Sequence, residues 1–242
     1  MLKDISALAL MVIDVKKSLE LLRNSELTIE GRLVDASNAS LLCTLDDGQQ
    51  AIYKPIAGER PLWDFPDGNL ASREVAAFQL SNLAGFDLIP PTILRDGPFG
   101  EGAVQLWIDV DDEADLVTFA QSGDSQLRAM ALMDAVLNNT DRKFGHLLLT
   151  SEGRLYGCDH GVTLHEEDKL RTVLWQWSGS PLTLEEIALL TNLRTHIQCE
   201  EFTQWITEAE VDALLIRIDR LITSQTMPEP SDDWPAVPWP PY

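Results

Sequence analysis

Apolar residues recur at helical spacing through 12–23 (Val12, Val15, Leu19, Leu22), which predicts an amphipathic helix. The pattern then changes to that of strands. Runs at 27–34, 40–45 and 50–55 predict three of them, with Asp46-Asp47-Gly48 as a hairpin signal between the last two. The link between the first two, Asp35-Ala36-Ser37-Asn38-Ala39, is small and polar. Residues 58–68, rich in glycine, proline and aromatics, predict an ordered loop. Asn69 or Ser72 then caps a helix that runs to about Leu83 and is ended by Gly85. Two more strands are expected at 93–95 and 103–110, split by a Gly/Pro turn. A strongly apolar helix is expected at 125–138. A hairpin follows at 147–150 and 154–158, and its second strand runs into Asp159-His160-Gly161. Helices are expected at 183–191, 200–206 and 208–223, and the proline- and tryptophan-rich segment 227–242 reads as an extended tail.

This order is α+β, with a sheet-rich first half and a helix-rich second half. The expected division is 1–110, 111–226 and the tail 227–242, with the boundary in the stretch that opens acidic at 111–115. The length, 242 residues, suits one large domain or two small lobes. A net charge of −21 argues against nucleic acid and against an anionic membrane surface as the main partner. The longest apolar run, 5–13, is far shorter than the roughly 20 residues that span a bilayer, and no basic segment with a cleavage site precedes it. Three cysteines without a Cys-x-x-Cys spacing exclude a disulfide framework or zinc ribbon and suit a reducing cytoplasm.

Two carboxylates carry the first chemical signal. Asp141 and Asp159 flank one hairpin, so folding brings them together. Close carboxylates repel unless a cation or a proton lies between them, and magnesium with a nucleotide phosphate satisfies that need. The bland alternative is a turn aspartate and a capping aspartate. Lys54 is the second signal. Strand alternation places it with Ile52 and Ile56, opposite Ala51 and Tyr53, and a lysine on an apolar face needs a counter-ion. Glu74 in the next helix is the candidate, against the alternative of an edge-strand lysine reaching solvent.

Four blocks then fall in a known order: Ile52-Tyr53-Lys54-Pro55, Arg73-Glu74-Val75-Ala76-Ala77-Phe78, Asn139-Thr140-Asp141-Arg142 and Asp159-His160-Gly161. Over 27–179 they resemble the atypical protein kinase-like superfamily, in its phosphatidylinositol 3/4-kinase-like and HipA-like branch and in a small bacterial form. The resemblance implies a two-lobed kinase-like fold that uses ATP with Mg²⁺ or Mn²⁺. Lys54 would touch the α- and β-phosphates with Glu74 as its helix partner. Asp141 and Arg142 would be the catalytic-loop pair, Asp141 acting as base or hydroxyl orienter, and Asp159 would be a metal ligand. Gln105, Leu106, Trp107 and Ile108 would border adenine through backbone groups. Ser37 and Asn38 would lie in the phosphate-covering loop, in a chain with no Gly-x-Gly-x-x-Gly before Lys54.

One position departs from the pattern. His146 stands where kinases carry a metal-binding asparagine, and Lys143 where a related form carries histidine. Imidazole suits manganese or zinc better than magnesium, so the second metal position is expected to be altered, manganese-preferring or absent. Lys143 is expected to neutralise transferring phosphate. The implied function is ATP-dependent phosphoryl transfer to a protein or small-molecule hydroxyl. A nucleotide-binding pseudokinase or regulatory module, and an AMP transferase, are the alternatives. No nucleic-acid partner and no stable membrane association are expected, and the oligomeric state is open. Cys158, Trp175 and Trp177 read as packing residues.

Overall fold

Strand alternation sets the first half of the fold. A computed structural model describes residues 13–33 and 38–242; Ser37 lies outside the described residues. The helix α1 (Val15–Asn24) precedes strands β1 (Thr28–Arg32), β2 (Leu41–Thr44) and β3 (Gln50–Pro55). Helix α2 (Leu70–Ala84) follows, then β4 (Thr92–Gly97) and β5 (Gly100–Leu106). The five strands form one antiparallel sheet in the order β1-β2-β3-β5-β4. Cys43, Ala51, Tyr53 and Val104 bury one face of it against Leu22 of α1. The other face meets α2, where Ala71 and Val75 pack on Ala103. Lys54 therefore points toward α2, as the alternation requires. Gly102 permits the close pairing of β5 with β3, because a Cβ there would sit 2.7 Å from Pro55 Cα.

The start of α2 is fixed twice. The Asn69 side chain accepts the Ser72 N–H at 2.7 Å, and the Glu59 carboxylate accepts the N–H groups of Leu70 and Ala71 at 3.0 and 2.8 Å. These bonds satisfy donors that have no partner inside the helix, and the negative charge suits the helix N-terminus. Gly85 ends α2 in the left-handed region, φ 75°.

The second half contains α3 (Leu116–Ala120), α4 (Ser125–Leu137), a hairpin of β6 (Leu147–Leu149) and β7 (Leu155–Gly157), α5 (Leu184–Cys199) and α6 (Glu208–Ser224). One apolar cluster runs from the rear of α2 through α4 and α5 to α6, so the sheet-bearing and helical parts share a continuous core. Three differences from expectation stand out. The short α3 was not foreseen, α5 continues to Cys199, and residues 200–206 make a single 3₁₀ turn, Phe202–Gln204. None of the helices among the described residues is long and apolar enough to cross a membrane.

A buried ion pair joins the two parts. Arg73 of α2 donates to Glu210 of α6 at 2.5 Å and to the Thr163 carbonyl at 3.0 Å, and its guanidinium lies 4.9 Å from the Phe65 ring centre. Glu210 also closes the capping box of α6 with Thr207. Glu210→Ala leaves a buried guanidinium without its counter-ion, and urea unfolding is expected to show a loss of about 3–5 kcal/mol. Thr207→Ala removes only the cap and should cost about 1 kcal/mol. Equal losses in the two variants would show that the ion pair contributes nothing beyond the cap.

Candidate active site

The site is assembled from the β3 lysine outward. Lys54 Nζ donates to Glu74 Oε1 and, at 3.0 Å, to Asp159 Oδ1. The second Glu74 oxygen accepts the His160 N–H at 3.1 Å, so one glutamate fixes both the lysine and the chain just after Asp159. Asp159 itself adopts φ 60°, a conformation aspartate tolerates better than most residues, and this turn aims its carboxylate back at β3. Burial opposes the charge of Lys54, but Asp159 and Glu74 outweigh it and raise the lysine pKa far above its usual range. The Lys54 ammonium in turn holds the Asp159 carboxyl well below the ordinary carboxylate range, against the effect of burial.

The loop after α4 supplies the second group. Asn138 ends α4 in the left-handed region, φ 51°. Asn139 then donates to Asp134 at 2.9 Å and accepts the Asp141 N–H at 3.0 Å, which orients the loop. Asp141 Oδ2 lies 3.0 Å from Lys143 Nζ. His146 Nε2 lies 3.5 Å from Asp159 Oδ2. One ligand atom each from Asp141, His146 and Asp159 falls within 4.8 Å of the others.

These three side chains fit a divalent cation. Two carboxylate oxygens and an imidazole nitrogen are first-row metal donors, and their mutual spacing within 4.8 Å is compatible with a shared ion. Burial lowers the His146 pKa, with the Asp159 charge opposing, so the imidazole is neutral and has a lone pair to offer. Its buried Nδ1 has no hydrogen-bond partner among the described residues.

Arg142, expected beside Asp141 in the catalytic-loop pair, is fully buried and turned inward. Its Nε and Nη2 grip the Asp134 carboxylate at 3.0 and 2.9 Å. Its Nη1 donates to the carbonyls of His146 and Cys158 at 3.3 and 3.2 Å. Nη2 also meets His160 Nε2 at 2.7 Å. Burial keeps His160 neutral, so that ring nitrogen accepts. Arg142 thus ties both ends of the hairpin to α4, next to His146 and Asp159. Asp134 was missed. Its signal was an acid inside the apolar run Leu132-Met133-Asp134-Ala135-Val136, where only a buried counter-ion makes sense.

The expected adenine strip is only partly open. Gln105 turns its amide to Thr92 Oγ1 at 2.8 Å. The N–H groups of Leu106 and Trp107 donate to the carbonyls of Pro91 and Gln50 at 2.9 and 3.0 Å, and so are not available to a nucleotide. Ile108, just beyond β5, is the member whose N–H has no partner among the described residues. Asn38 accepts the Arg60 N–H at 2.9 Å and tethers its loop. Cys158 is partly buried, and desolvation pushes its thiol up to about 12.

With this geometry in place, comparison with solved structures defines the class of fold. The chain is similar to the Golgi casein kinase with Mn/ADP bound, at TM-score 0.57 and 12% identity over 87% of this chain and 75% of that one. It is similar to hydra Fam20 with sugar, at TM-score 0.56 and 14% identity over 87% of each chain. At such identities the likeness is one of architecture: the chain has the two-lobed kinase-like fold. No protein-family model matches it. Protein Rv2133c of Mycobacterium tuberculosis is 38% identical over 262 aligned positions, covering 91% of this chain and 94% of that one, and the chain belongs to the same family as that protein.

Lys54→Met tests the central ion cluster. A carboxyl depressed in the folded state, as Asp159 is, stabilises above its unfolded pKa of about 3.9 and ceases to as pH falls below it. The raised lysine stabilises below its unfolded pKa of about 10.4 and fails only above that. Urea titrations should therefore show a wild-type-to-variant gap that is flat from about pH 5 to about pH 9 and narrows in acid. A gap that widens below about pH 4 would contradict the cluster.

Proposed function

We propose that the chain is a phosphotransferase that moves the γ-phosphoryl group of ATP to an acceptor hydroxyl. The observation that carries this reading is the Lys54 ammonium held between Glu74 and Asp159, beside Asp141 and His146. An ammonium clamped by two carboxylates is a preformed point charge for phosphate oxygens. Asp159 and His146 would hold Mg²⁺ or Mn²⁺, which supplies neutralisation of charge on those oxygens when bound. Asp141 would orient the acceptor hydroxyl and take its proton. The acceptor oxygen bonds to the γ-phosphorus, the bond to the β,γ-bridging oxygen breaks, and ADP leaves. Lys143 would steady Asp141 and offset charge on the moving group. Ile108 would meet the adenine edge, and the loop with Ser37 and Asn38 would cover the phosphates. Catalysis on this plan is positioning plus electrostatics.

The order of the motif blocks supports the phosphatidylinositol 3/4-kinase-like and HipA-like branch, the charge of −21 favours a soluble acceptor over a lipid surface, and three cysteines without a Cys-x-x-Cys spacing suit a cytoplasmic location. His146 in place of asparagine favours one second reading, a module that binds nucleotide without transferring phosphate.

Melting in the presence of ATP and Mn²⁺, paired with a labelled-ATP turnover assay, tests the proposal. Wild type should melt higher with ligand, because ligand binds only the native state. Asp159→Ala should lose that shift. Asp141→Asn should keep it but lose about 10²- to 10⁴-fold in transfer, the range expected on removing a general base. A shift without turnover points to the regulatory module, and an acceptor heavier by AMP points to AMP transfer. No shift in wild type would falsify the nucleotide reading. His146→Asn replaces a nitrogen donor with a hard oxygen, so its ratio of Mn²⁺- to Mg²⁺-supported turnover should fall. An unchanged ratio would remove His146 from the metal site.

A further inference from the structure

Residues 227–242 run across the helical part and end against the loop that carries Asp141. The Met227 carbonyl accepts the Gly179 N–H at 3.2 Å. The Trp234 ring centre lies 4.9 Å from Lys169 Nζ, a buried lysine whose other aromatic neighbour is Trp63 at 5.9 Å. The Ala236 carbonyl accepts two donors, the Thr172 N–H at 3.1 Å and Trp175 Nε1 at 2.8 Å. The Pro241 carbonyl accepts the Phe144 N–H at 2.9 Å, and the rings of Tyr242 and Phe144 lie 6.4 Å apart.

Thr172 is the middle of a short ladder. On its other side the chain pairs in parallel with the catalytic loop: Arg171 N–H donates to Asn139 at 2.9 Å, Arg142 N–H to Arg171 at 3.2 Å, and Val173 N–H to Arg142 at 3.2 Å. The strap at Ala236 is the third member, on the outer edge. Phe144, its second anchor, adjoins Lys143, which pairs with Asp141.

An extended polypeptide docks most readily by adding main-chain hydrogen bonds to an open edge. Here the donors of that edge nearest Asp141, on Thr172 and Phe144, are already bound by the chain itself. The strap does not offer a fresh edge in exchange. Pro235, Pro238, Pro240 and Pro241 have no N–H, and proline stops strand addition. We infer that the strap closes the acceptor side of the cleft to extended polypeptides and leaves it to compact, free small-molecule hydroxyls. The inference rests on the phosphotransferase reading and narrows its acceptor.

The test uses the full chain with two substitutions that loosen the strap. Trp175→Phe removes the indole donor to Ala236 and keeps the ring, and Trp234→Ala removes the stack on Lys169. Melting curves confirm that each variant is folded, and Trp175→Phe alone serves if the pair is not. The probes are a degenerate Ser/Thr/Tyr peptide library and water, the latter read as ATP hydrolysis. Hydrolysis should be the same in all chains. Peptide labelling should be at background in the intact chain and should rise about tenfold or more on loosening, the scale of one or two lost hydrogen bonds. Equal peptide labelling in intact and loosened chains, whether high or absent, overturns the inference while ATP binding and hydrolysis leave the kinase reading standing. Absence of an ATP-induced melting shift in the intact chain takes down that reading, and the inference with it.

Discussion

One ammonium group sets the distance between the two halves of the site. Glu74 and Asp159 lie 20 and 105 residues beyond Lys54 in sequence, yet both meet it within hydrogen-bond reach. Remove the lysine and two carboxylates face each other across the cleft. With it in place, α2 must lie against the sheet at the height where Glu74 reaches β3, which the packing of Ala71 and Val75 on Ala103 secures. Asp159 must also turn back from β7 through its left-handed backbone. The charge cluster and the apolar contacts ask for the same geometry, and that agreement gives a single docking of sheet on helices.

A second ion pair does for the floor of the cleft what Lys54 does for its roof. Arg142 and Asp134 are entirely buried, so their attraction largely offsets the loss of water and adds little net stability. Their effect is on position. A guanidinium has five donors in a rigid plane, and Arg142 spends them on Asp134, on two carbonyls from opposite strands of the hairpin, and on His160. Apolar residues in their place would fill the space without fixing where the ends of β6 and β7 stand. Arg73 with Glu210 plays a similar part between α2 and α6.

Much of this was legible before folding, for identifiable reasons. Strand β3 (Gln50–Pro55) was read to the residue, because a hairpin turn bounds it and proline closes it. The start and end of α2 were legible because Asn69 and Gly85 act locally, through a cap and a left-handed backbone. Lys54, Glu74 and Asp159 were legible because each residue type is costly where the pattern puts it. The misses share a different character. The continuation of α5 past Thr191 depends on burial of Leu193 and Ile197 in the helical core, a tertiary effect. Arg142 looked chemical because it adjoins Asp141, and only the position of Asp134 shows it turning inward. The loss of Leu106 and Trp107 as free donors depends on which carbonyls face them, and a single strand's sequence does not encode its neighbours.

The two aspartates of the hairpin are chemically alike, and their surroundings separate them. Asp159 is bound to a lysine whose position is fixed by a second carboxylate, and that bond holds it in the ionised form. A carboxylate whose pKa is lowered by a neighbouring ammonium suits a cation better than a proton. Asp141 has a different partner, the half-buried Lys143 two residues away, on a loop steadied by Asn139. On the proposed reading, that ion pair could exchange partners when an acceptor binds. On the proposed phosphotransferase reading, proton handling would fall to Asp141 and cation binding to Asp159. His146 lies within ligand reach of both carboxylates, so substituting it should disturb the cation without altering which aspartate holds the acceptor.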